Sequence, residues 1–447
     1  MFFKRLLLGV LNFLRFLKHR EDDFLNYEFI PQMKAGDWDI YSNQLAHETG
    51  NDVSVYIRNT IPNNQLIIEK IIAPYEYEKV YESDVLSTIH QPITDYNAIK
   101  GCDWNTSLTL DTSIFKSSGY YRFWLSEGKG NPFTIIVSDY STTTDVAILA
   151  PCTTWVAYNP WGGKSFYKNG IDKNNVYFVS TQRPNSALEY NTKGNIHDIN
   201  VEANIFNWFT RHFKTTLYPD YILEKNPSQL LDHKLIVLAY HGEYFSEKMY
   251  KALRRLIQEK KKSFINLGGN QIYWKVKWHN NFTSLECRKN CAPFQDTYNF
   301  GGLWKNSPHP EKKLTGVVFS DEGTGTYAPY RVTDANHWLF EGSDVKNNDL
   351  FGIKGINEWG ICGDETDKEY DAICIAKGVN TGTIGEGINY PDPQHTWDSK
   401  GGGALCVKEH SLSHATLATG SIQSGSGLGT DNVFTTVVKN FTERYIR

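Results

Sequence analysis

A histidine and a carboxylate stand two residues apart at the point where an apolar run of the sequence ends. The stretch LIVLAYHGEY contains the apolar residues 235–239 and then, after Tyr240, His241 and Glu243. If the run is a buried strand whose geometry continues to Glu243, both side chains point to the same side of the sheet, because strand side chains alternate. Such a pair can bind a metal ion, carry a proton or polarise a carbonyl group.

Two other apolar runs also end in polar turns. DVAILAP leads to AYNPWGG, which contains Tyr158 and Asn159, and SFINLGGN ends at Asn270. Parallel strands have their carboxyl ends at one edge of a sheet, and open α/β sheets carry their sites just beyond that edge. We therefore expect these three side chains to share a crevice with His241 and Glu243.

Each of these residues also has an ordinary structural role. A tyrosine commonly packs in a core or at a surface, a histidine at a strand end is often structural, and Asn270 after two glycines can shape a turn. The coincidence of three strand ends favours a shared site. The turn at His241 contains no serine or cysteine, Cys152 lacks a glycine elbow, and the HExxH motif is absent. If the protein is an enzyme, a metal ion or an activated water is therefore a more plausible reactive group than a side-chain nucleophile.

Two regions of different pattern contain these motifs. Residues 25–143 hold short alternating segments divided by turn residues, which predicts an immunoglobulin-like β-sandwich. Residues 144–447 alternate apolar runs with amphipathic segments around 201–213 and 247–262, which predicts a parallel α/β domain with β-rich insertions. The predicted fold class is α/β combined with all-β, and the α/β domain must position the site.

Composition limits the partners and the compartment. The chain has 447 residues and a formal net charge of −4, which argues against a general nucleic-acid binder. Seven cysteines are an odd number in a long chain, so no disulfide framework is expected. Cys287 and Cys291 of CRKNC are interpreted as ordinary thiols, with a local disulfide or a metal clip as the alternative. We expect a cytoplasmic protein.

The N-terminal segment 1–24 is basic and amphipathic. Its uninterrupted apolar stretch is too short to span a membrane, and no A-x-A-like cleavage site follows it. On a helix, its apolar side chains cover much of the surface. Residues 1–20 are therefore expected either to lie at a membrane interface as a peripheral contact or to pack on the protein itself or on a partner.

The motifs occur in an order that resembles a known family. AYNPWGGKSFY, YHGEYF, NLGGN, DANHWLFEGSDVKNNDLFG and a GxxEW motif follow one another along the chain. This order resembles the large (beta) subunit of N,N-dimethylformamidase and its relatives over most of the sequence. The resemblance implies a β-sandwich followed by an α/β domain similar to glutamine amidotransferases. It also implies a hydrolase that acts on a carbon–nitrogen amide bond.

The same resemblance implies a mononuclear iron, Fe³⁺, held by two tyrosinates and one glutamate. The matching residues here are Glu243, Tyr158 and a tyrosine of SSGYYRF, for which motif register favours Tyr121 over the alternative Tyr120. A phenol has a pKa of about 10 and ligates well only as phenolate. A hard trivalent cation favours oxygen donors and promotes that deprotonation.

The catalytic residues implied by the resemblance are His241, Asn270 and Glu358. A metal-bound water would be the nucleophile, His241 could move protons or orient that water, and Asn270 could hydrogen-bond a developing oxyanion. Glu358 of GINEW matches an acidic residue near the substrate. A small amide or amide-bearing molecule is the expected substrate, and a homo-oligomer or a small second subunit is an expected partner.

A second hypothesis is a non-catalytic binding or scaffold protein at a membrane surface or in polysaccharide assembly. Its basis is the basic segment 1–20 and the aromatic-rich predicted sandwich, whose rings could stack on sugars. Iron content distinguishes the hydrolase from the scaffold, and vesicle binding that depends on residues 1–20 favours the scaffold.

Overall fold

The computed structural model describes residues 36–166, 176–188, 197–295, 297–319, 329–352, 360–362, 372–378 and 403–447. The N-terminal segment 1–24 and Glu358 lie outside these residues. Within the described ranges the chain is a mixed α/β protein with strands in several sheets. No helix in this part of the chain is long and apolar enough to cross a membrane.

The first nine strands form two sheets whose buried side chains belong to one core. Their bounds, with one short helix, are β1 Trp38–Ser42, β2 Ala46–Glu48, β3 Val53–Asn59, β4 Leu66–Ala73, β5 Glu76–Glu82, α1 Asn97–Lys100, β6 Leu108–Leu110, β7 Gly119–Leu125, β8 Gly130–Asn131 and β9 Phe133–Ser138. The strand orders are β6-β3-β1-β8 and β2-β9-β7-β4-β5. In β3 every second residue is fully buried, because successive side chains of a strand point to opposite faces.

A nine-stranded sheet forms the centre of the remaining chain. The strands of this part are β10 Val146–Ala150, β11 Phe178–Ser180, β12 Thr215–Pro219, β13 Leu235–Tyr240, β14 Tyr244–Ser246, β15 Ser263–Gly268, β16 Trp274–His279, β17 Ser284–Cys287, β18 Val317–Phe319, β19 Tyr330–Val332, β20 Leu350–Phe351, β21 Gly360–Cys362, β22 Ile373–Gly378, β23 Ala404–Ser411 and β24 His414–Ala418. The central order is β12-β10-β13-β15-β24-β23-β22-β19-β20.

The first five strands of that order are parallel, and the following ones are antiparallel. All six residues of β13 are buried, as expected for a parallel strand covered on both faces. A smaller sheet has the order β11-β17-β16-β14, and β18 pairs with β21. The apolar runs before Tyr158, His241 and Asn270 are therefore parallel neighbours, as their sequence pattern predicts.

Helices pack beside these sheets. Their bounds are α2 Cys152–Tyr158, α3 Ile199–His212, α4 Ile222–Lys225, α5 Glu247–Gln258, α6 Lys312–Thr315 and α7 Asn432–Tyr445. The longer helices begin at capping side chains: Asp198 accepts a bond from the backbone of Asn200, and Ser246 accepts one from Met249. Helix α3 contacts β4 and β7 on one side and β12 and β13 on the other, so it lies between the two parts of the fold.

The predicted helix over 247–262 ends earlier than its pattern suggests. Helix α5 ends at Gln258, and Lys261 adopts a left-handed conformation with a φ of 56°. The backbone N–H of Lys262 then bonds to the carbonyl oxygen of Leu256 at 3.0 Å. The basic residues after Gln258 therefore form the turn into β15.

Gly268 permits a close approach of β13 and β15 at the edge that carries the predicted site. It pairs with Tyr240, and a Cβ atom added at Gly268 would lie 1.7 Å from the carbonyl oxygen of Tyr240. Tyr240 itself has a φ of 56°, which is unusual for a residue with a side chain. The two strand ends therefore meet in a geometry that only glycine at position 268 allows.

Substitution of Gly268 tests this constraint. We expect Gly268→Ala to lower the free energy of unfolding by about 2–3 kcal/mol, because the added methyl group forces two backbones apart. Gly50→Ala is the matched control: Gly50 has a φ of 90° but nothing within 4 Å of an added Cβ, so only about 1 kcal/mol of backbone strain is expected. The measurement is the thermal unfolding midpoint of both variants. Equal shifts would contradict the close approach.

Candidate functional site

The polar residues of the site follow three neighbouring strands and lie at one edge of the central sheet. β13 pairs in parallel with β10 on one side and with β15 on the other. Tyr158 is the last residue of α2, which follows β10 directly, and Asn270 lies two residues beyond β15. His241 and Glu243 occupy the short connection between β13 and β14. Residues from three separate motifs of the sequence therefore lie close together at this edge.

The four side chains contact one another. The hydroxyl of Tyr158 donates a hydrogen bond to Oε2 of Glu243. Nε2 of His241 lies 3.6 Å from the same carboxylate oxygen, and Nδ2 of Asn270 lies 3.4 Å from that ring nitrogen. The rings of Tyr158 and His241 are 5.6 Å apart between centroids. All four residues are less than a tenth exposed, so the contacts are shielded from water.

Burial controls the charge of this cluster. It raises the pKa of Glu243 to about 7, although the ammonium of Lys289 and the Tyr158 hydroxyl act in the opposite direction. Burial also lowers the pKa of His241 well below its ordinary value, and the nearby His197 adds to this effect. His241 is therefore a neutral imidazole, which can accept a proton or a ligand bond.

The backbone around the cluster is strained. Tyr240 and Asn270 have φ values of 56° and 47°, and Ile272 has 54°. Such conformations cost of order 1–3 kcal/mol each and concentrate at functional sites. Gln271 holds the two turns together, because its Oε1 accepts the backbone N–H of Gly242 at 2.8 Å and its Nε2 donates to the carbonyl of Leu238 at 3.2 Å.

The predicted tyrosine from the first part of the chain lies elsewhere. The hydroxyl of Tyr121 donates to the carbonyl oxygen of Ser117, and its ring packs edge-on against Phe115 at 4.7 Å. Its neighbour Tyr120 faces the opposite side of β7. There its ring lies 6.2 Å from Trp155 of α2 and 6.3 Å from Phe206 of α3. Of the two, Tyr120 is therefore the tyrosine that faces the α/β part of the fold.

Asn159 shapes the loop after α2 and does not join the cluster contacts. Its Nδ2 donates to the carbonyl of Pro184 at 2.7 Å, and its Oδ1 accepts the backbone N–H of Trp161 at 3.0 Å. The fully buried Arg183 completes the same loop, donating to the carbonyl oxygens of Asn159 and Lys164 at 3.0 and 3.1 Å. These bonds fix the backbone immediately after Tyr158.

A second buried polar group lies behind His241 and was missed at the sequence level. His197 and Glu202 are fully buried and hydrogen-bonded to each other. The indole N–H of Trp155 donates to Glu202 at 2.9 Å, and the rings of His197 and His241 are nearly parallel with centroids 6.5 Å apart. A signal was available, because Glu202 shares its helix face with Ile205 and Phe206, which is an apolar face.

The contribution of Lys289 to the site was also not predicted, because only the two cysteines of its CRKNC motif suggested chemistry. Its ammonium lies 4.6 Å from the ring centroid of Trp274 and 5.5 Å from that of Tyr244. Its positive charge partly offsets the rise in the pKa of Glu243 that burial causes. The cysteines of the motif are thiols, with Cys287 buried and Cys291 exposed.

The donor set determines which metal could bind. Among the described residues, no group of three His, Cys, Asp or Glu side chains is arranged to hold a metal ion. The phenol oxygen of Tyr158 and the carboxyl oxygen of Glu243 nevertheless converge within a hydrogen bond. Oxygen donors of this kind suit a hard cation such as Fe³⁺. These two oxygen donors fit the expected iron, and Nε2 of His241 lies 3.6 Å from the carboxylate oxygen of Glu243.

Asp220 anchors the first turn of the helix that carries Tyr158. Its Oδ1 accepts both the backbone N–H and the hydroxyl of Thr153, at 3.0 and 2.8 Å. Burial raises the pKa of Asp220 to about 8. The neutral acid is therefore the form that the folded state stabilises.

The pH dependence of stability tests this anchor. A carboxyl whose folded-state pKa is raised contributes stability that is fully present below its unfolded pKa of about 4. That contribution is lost as the pH rises from there to the folded pKa of about 8. We expect the wild-type protein to lose stability between about pH 4 and pH 8 and Asp220→Asn to lose less over the same range. Asp232→Asn, at an exposed position, is the control. Urea unfolding midpoints provide the measurement, and equal pH dependence in all three proteins would contradict the assignment.

Comparison with known proteins agrees with the family that the motif order resembles. No curated protein matches the chain. The family model described as N,N-dimethylformamidase beta subunit-like, C-terminal, matches residues 75–435, which include every described residue of the cluster. Because this match covers most of the sequence, the chain belongs to the N,N-dimethylformamidase beta subunit-like, C-terminal family.

Proposed function

We propose that the protein is an iron-dependent hydrolase of a carbon–nitrogen amide bond. The observation that carries the proposal is the buried convergence of the Tyr158 phenol and the Glu243 carboxyl, with His241 and Asn270 beside them. Family membership supports an activity of the N,N-dimethylformamidase type. The substrate is proposed to be a small amide or an amide-bearing molecule.

The fold is proposed to follow the same family pattern. The two sheets of β1 to β9 would form the immunoglobulin-like β-sandwich of residues 25–143. The parallel strands β10, β12, β13, β15 and β24 would form the glutamine-amidotransferase-like domain of residues 144–447. No described strand after β9 joins the two sheets of β1 to β9, which supports this division.

Tyr158 and Glu243 are the residues that would hold Fe³⁺, together with a tyrosine from β7. When bound, the ion would supply Lewis acidity and a water of lowered pKa. Its positive charge would also keep both oxygen donors deprotonated, which burial alone opposes at Glu243. The Lys289 ammonium adds positive charge that opposes the effect of burial on the pKa of Glu243.

The remaining residues of the cluster have roles that do not depend on ligation. His241 is buried and neutral, so it can accept a proton from the attacking water and return it to the leaving amine. Asn270 offers an amide N–H₂ group that can donate to the carbonyl oxygen of the substrate. Glu358 is proposed to lie near the substrate, on the basis of its GINEW motif.

The partners follow from the family and from the N-terminus. The family description names a beta subunit, so we propose that a small second subunit or a second copy of the chain completes the enzyme. A cytoplasmic location, with peripheral membrane contact through residues 1–20, is part of the same proposal.

Metal analysis tests the proposed function. We expect the purified protein to contain about one iron per chain and to absorb visible light through tyrosinate-to-iron charge transfer. Glu243→Gln should lose the metal, because it removes one anionic donor. Glu247→Gln, a partly exposed position at the start of α5, should keep it. Protein that is free of metal and shows no spectral change with added Fe³⁺ would overturn the proposal.

Two further variants identify the second tyrosine. The ring of Tyr120 faces α2 and α3, whereas the hydroxyl of Tyr121 is bound to Ser117. We therefore expect Tyr120→Phe to weaken and shift the visible band and Tyr121→Phe to leave it unchanged. Tyr158→Phe should also weaken and shift the band, because it removes one of the two proposed tyrosinate ligands. An unchanged band in both β7 variants would show that neither tyrosine is a ligand.

A further inference from the structure

Two cysteines lie opposite each other in neighbouring strands, far along the chain from the cluster. Cys374 in β22 pairs with Cys406 in β23 in antiparallel register. Directly opposed residues project from the same face of a sheet. Both side chains accordingly pack in one small apolar group with Val317, Ala404 and Ala418. Both are thiols in the structure.

The spacing of opposed strand residues suits a disulfide. Their Cα atoms are about 4.5–5.5 Å apart in antiparallel pairs, and a disulfide spans Cα separations of about 4.4–6.8 Å. A β-bulge follows Cys374, since the register shifts between Cys374 and Ala376. The thiol of Cys374 donates to the carbonyl oxygen of Ala376 at 3.3 Å, a contact that a change of rotamer can release.

The two thiols differ in their access to solvent. Cys374 is half-buried, whereas Cys406 is 1% exposed. An external disulfide can therefore reach Cys374 first, and Cys406 can be reached only from its cross-strand neighbour. This is the arrangement of an attacking thiol and a resolving thiol.

We propose that Cys374 and Cys406 form an oxidative modification site, where an intramolecular disulfide forms by exchange with glutathione disulfide. The Cys374 thiolate attacks one sulfur of glutathione disulfide and releases the first glutathione as a thiol. The Cys406 thiolate then attacks the Cys374 sulfur of the mixed disulfide and releases the second. Two protein thiols lose two electrons and two protons, and glutathione disulfide gains them as two molecules of glutathione.

The disulfide would tie together the antiparallel part of the central sheet. It would join β22 to β23 and enclose residues 375–405. β23 pairs with β24, and β24 pairs with β15, the strand that leads to Asn270. The modification would thus stabilise the sheet two strands away from a strand that carries the cluster. It does not depend on the proposed hydrolase activity.

Peptide mapping of the full-length protein tests the proposal. The reduced protein is incubated with a series of ratios of glutathione to glutathione disulfide, remaining thiols are alkylated, and the digest is analysed by mass spectrometry. We expect a cross-linked peptide pair containing Cys374 and Cys406, together with a thermal midpoint raised by a few degrees. Cys152 is fully buried and should stay alkylatable only after unfolding, which provides the internal control.

Two serine variants separate the steps. In Cys406→Ser, Cys374 should accumulate as the mixed disulfide with glutathione, because the resolving thiol is absent. In Cys374→Ser, Cys406 should remain a thiol, because glutathione disulfide does not reach it. Two unlinked thiols in the wild-type protein at every ratio would overturn the proposal, as would stable glutathione adducts on Cys374 without the cross-link.

Discussion

The parallel pairing of β10, β13 and β15 determines where the polar residues of the site can lie. These three parallel strands have their carboxyl ends at one edge of the sheet. The side chains that follow the strands therefore lie close together at that edge. Gly268 makes this edge tight, because a Cβ atom there would overlap the carbonyl of Tyr240. The contact between Tyr158, at the end of α2, and Glu243, in the connection after β13, therefore depends on this strand pairing.

Placing polar groups in this closed environment has an energetic cost that points to function. Within the described residues, Nδ1 of His241 and Oδ1 of Asn270 are buried without a hydrogen-bond partner. Such atoms are uncommon in native structures, since each costs about 1–3 kcal/mol when left unsatisfied. The left-handed conformations of Tyr240 and Asn270 add strain at the same place. A bound ion or substrate would give these atoms partners and offset part of the cost.

Much of the site could be predicted from sequence, because it depends on local pattern. The apolar runs before Tyr158, His241 and Asn270 indicated buried parallel strands, and those residues do lie together. The fourth member, Glu243, was expected there because strand side chains alternate. The strand ends at Tyr240, however, and Glu243 contacts Tyr158 from the connection between β13 and β14. The helical pattern around Glu202 indicates that its side chain is buried. The proximity of the His197–Glu202 pair to His241 was not predicted, because it arises from the packing of α3 against β13, which no local pattern encodes.

The orientation of the tyrosines in β7 was likewise beyond local pattern. Alternation required that Tyr120 and Tyr121 face opposite sides, but which side meets the α/β part depends on how β7 packs against α3. The ends of helices were also set by context, as the turn at Lys261 shows.

The proposed function requires that Tyr158 and Glu243 together hold one iron. An anomalous difference map, measured at the iron absorption edge on crystals of the purified protein, tests it most directly. We expect a single strong peak within bonding distance of the Tyr158 phenol oxygen and the Glu243 carboxylate. A map without a peak there, or with iron bound only at other residues, would contradict it.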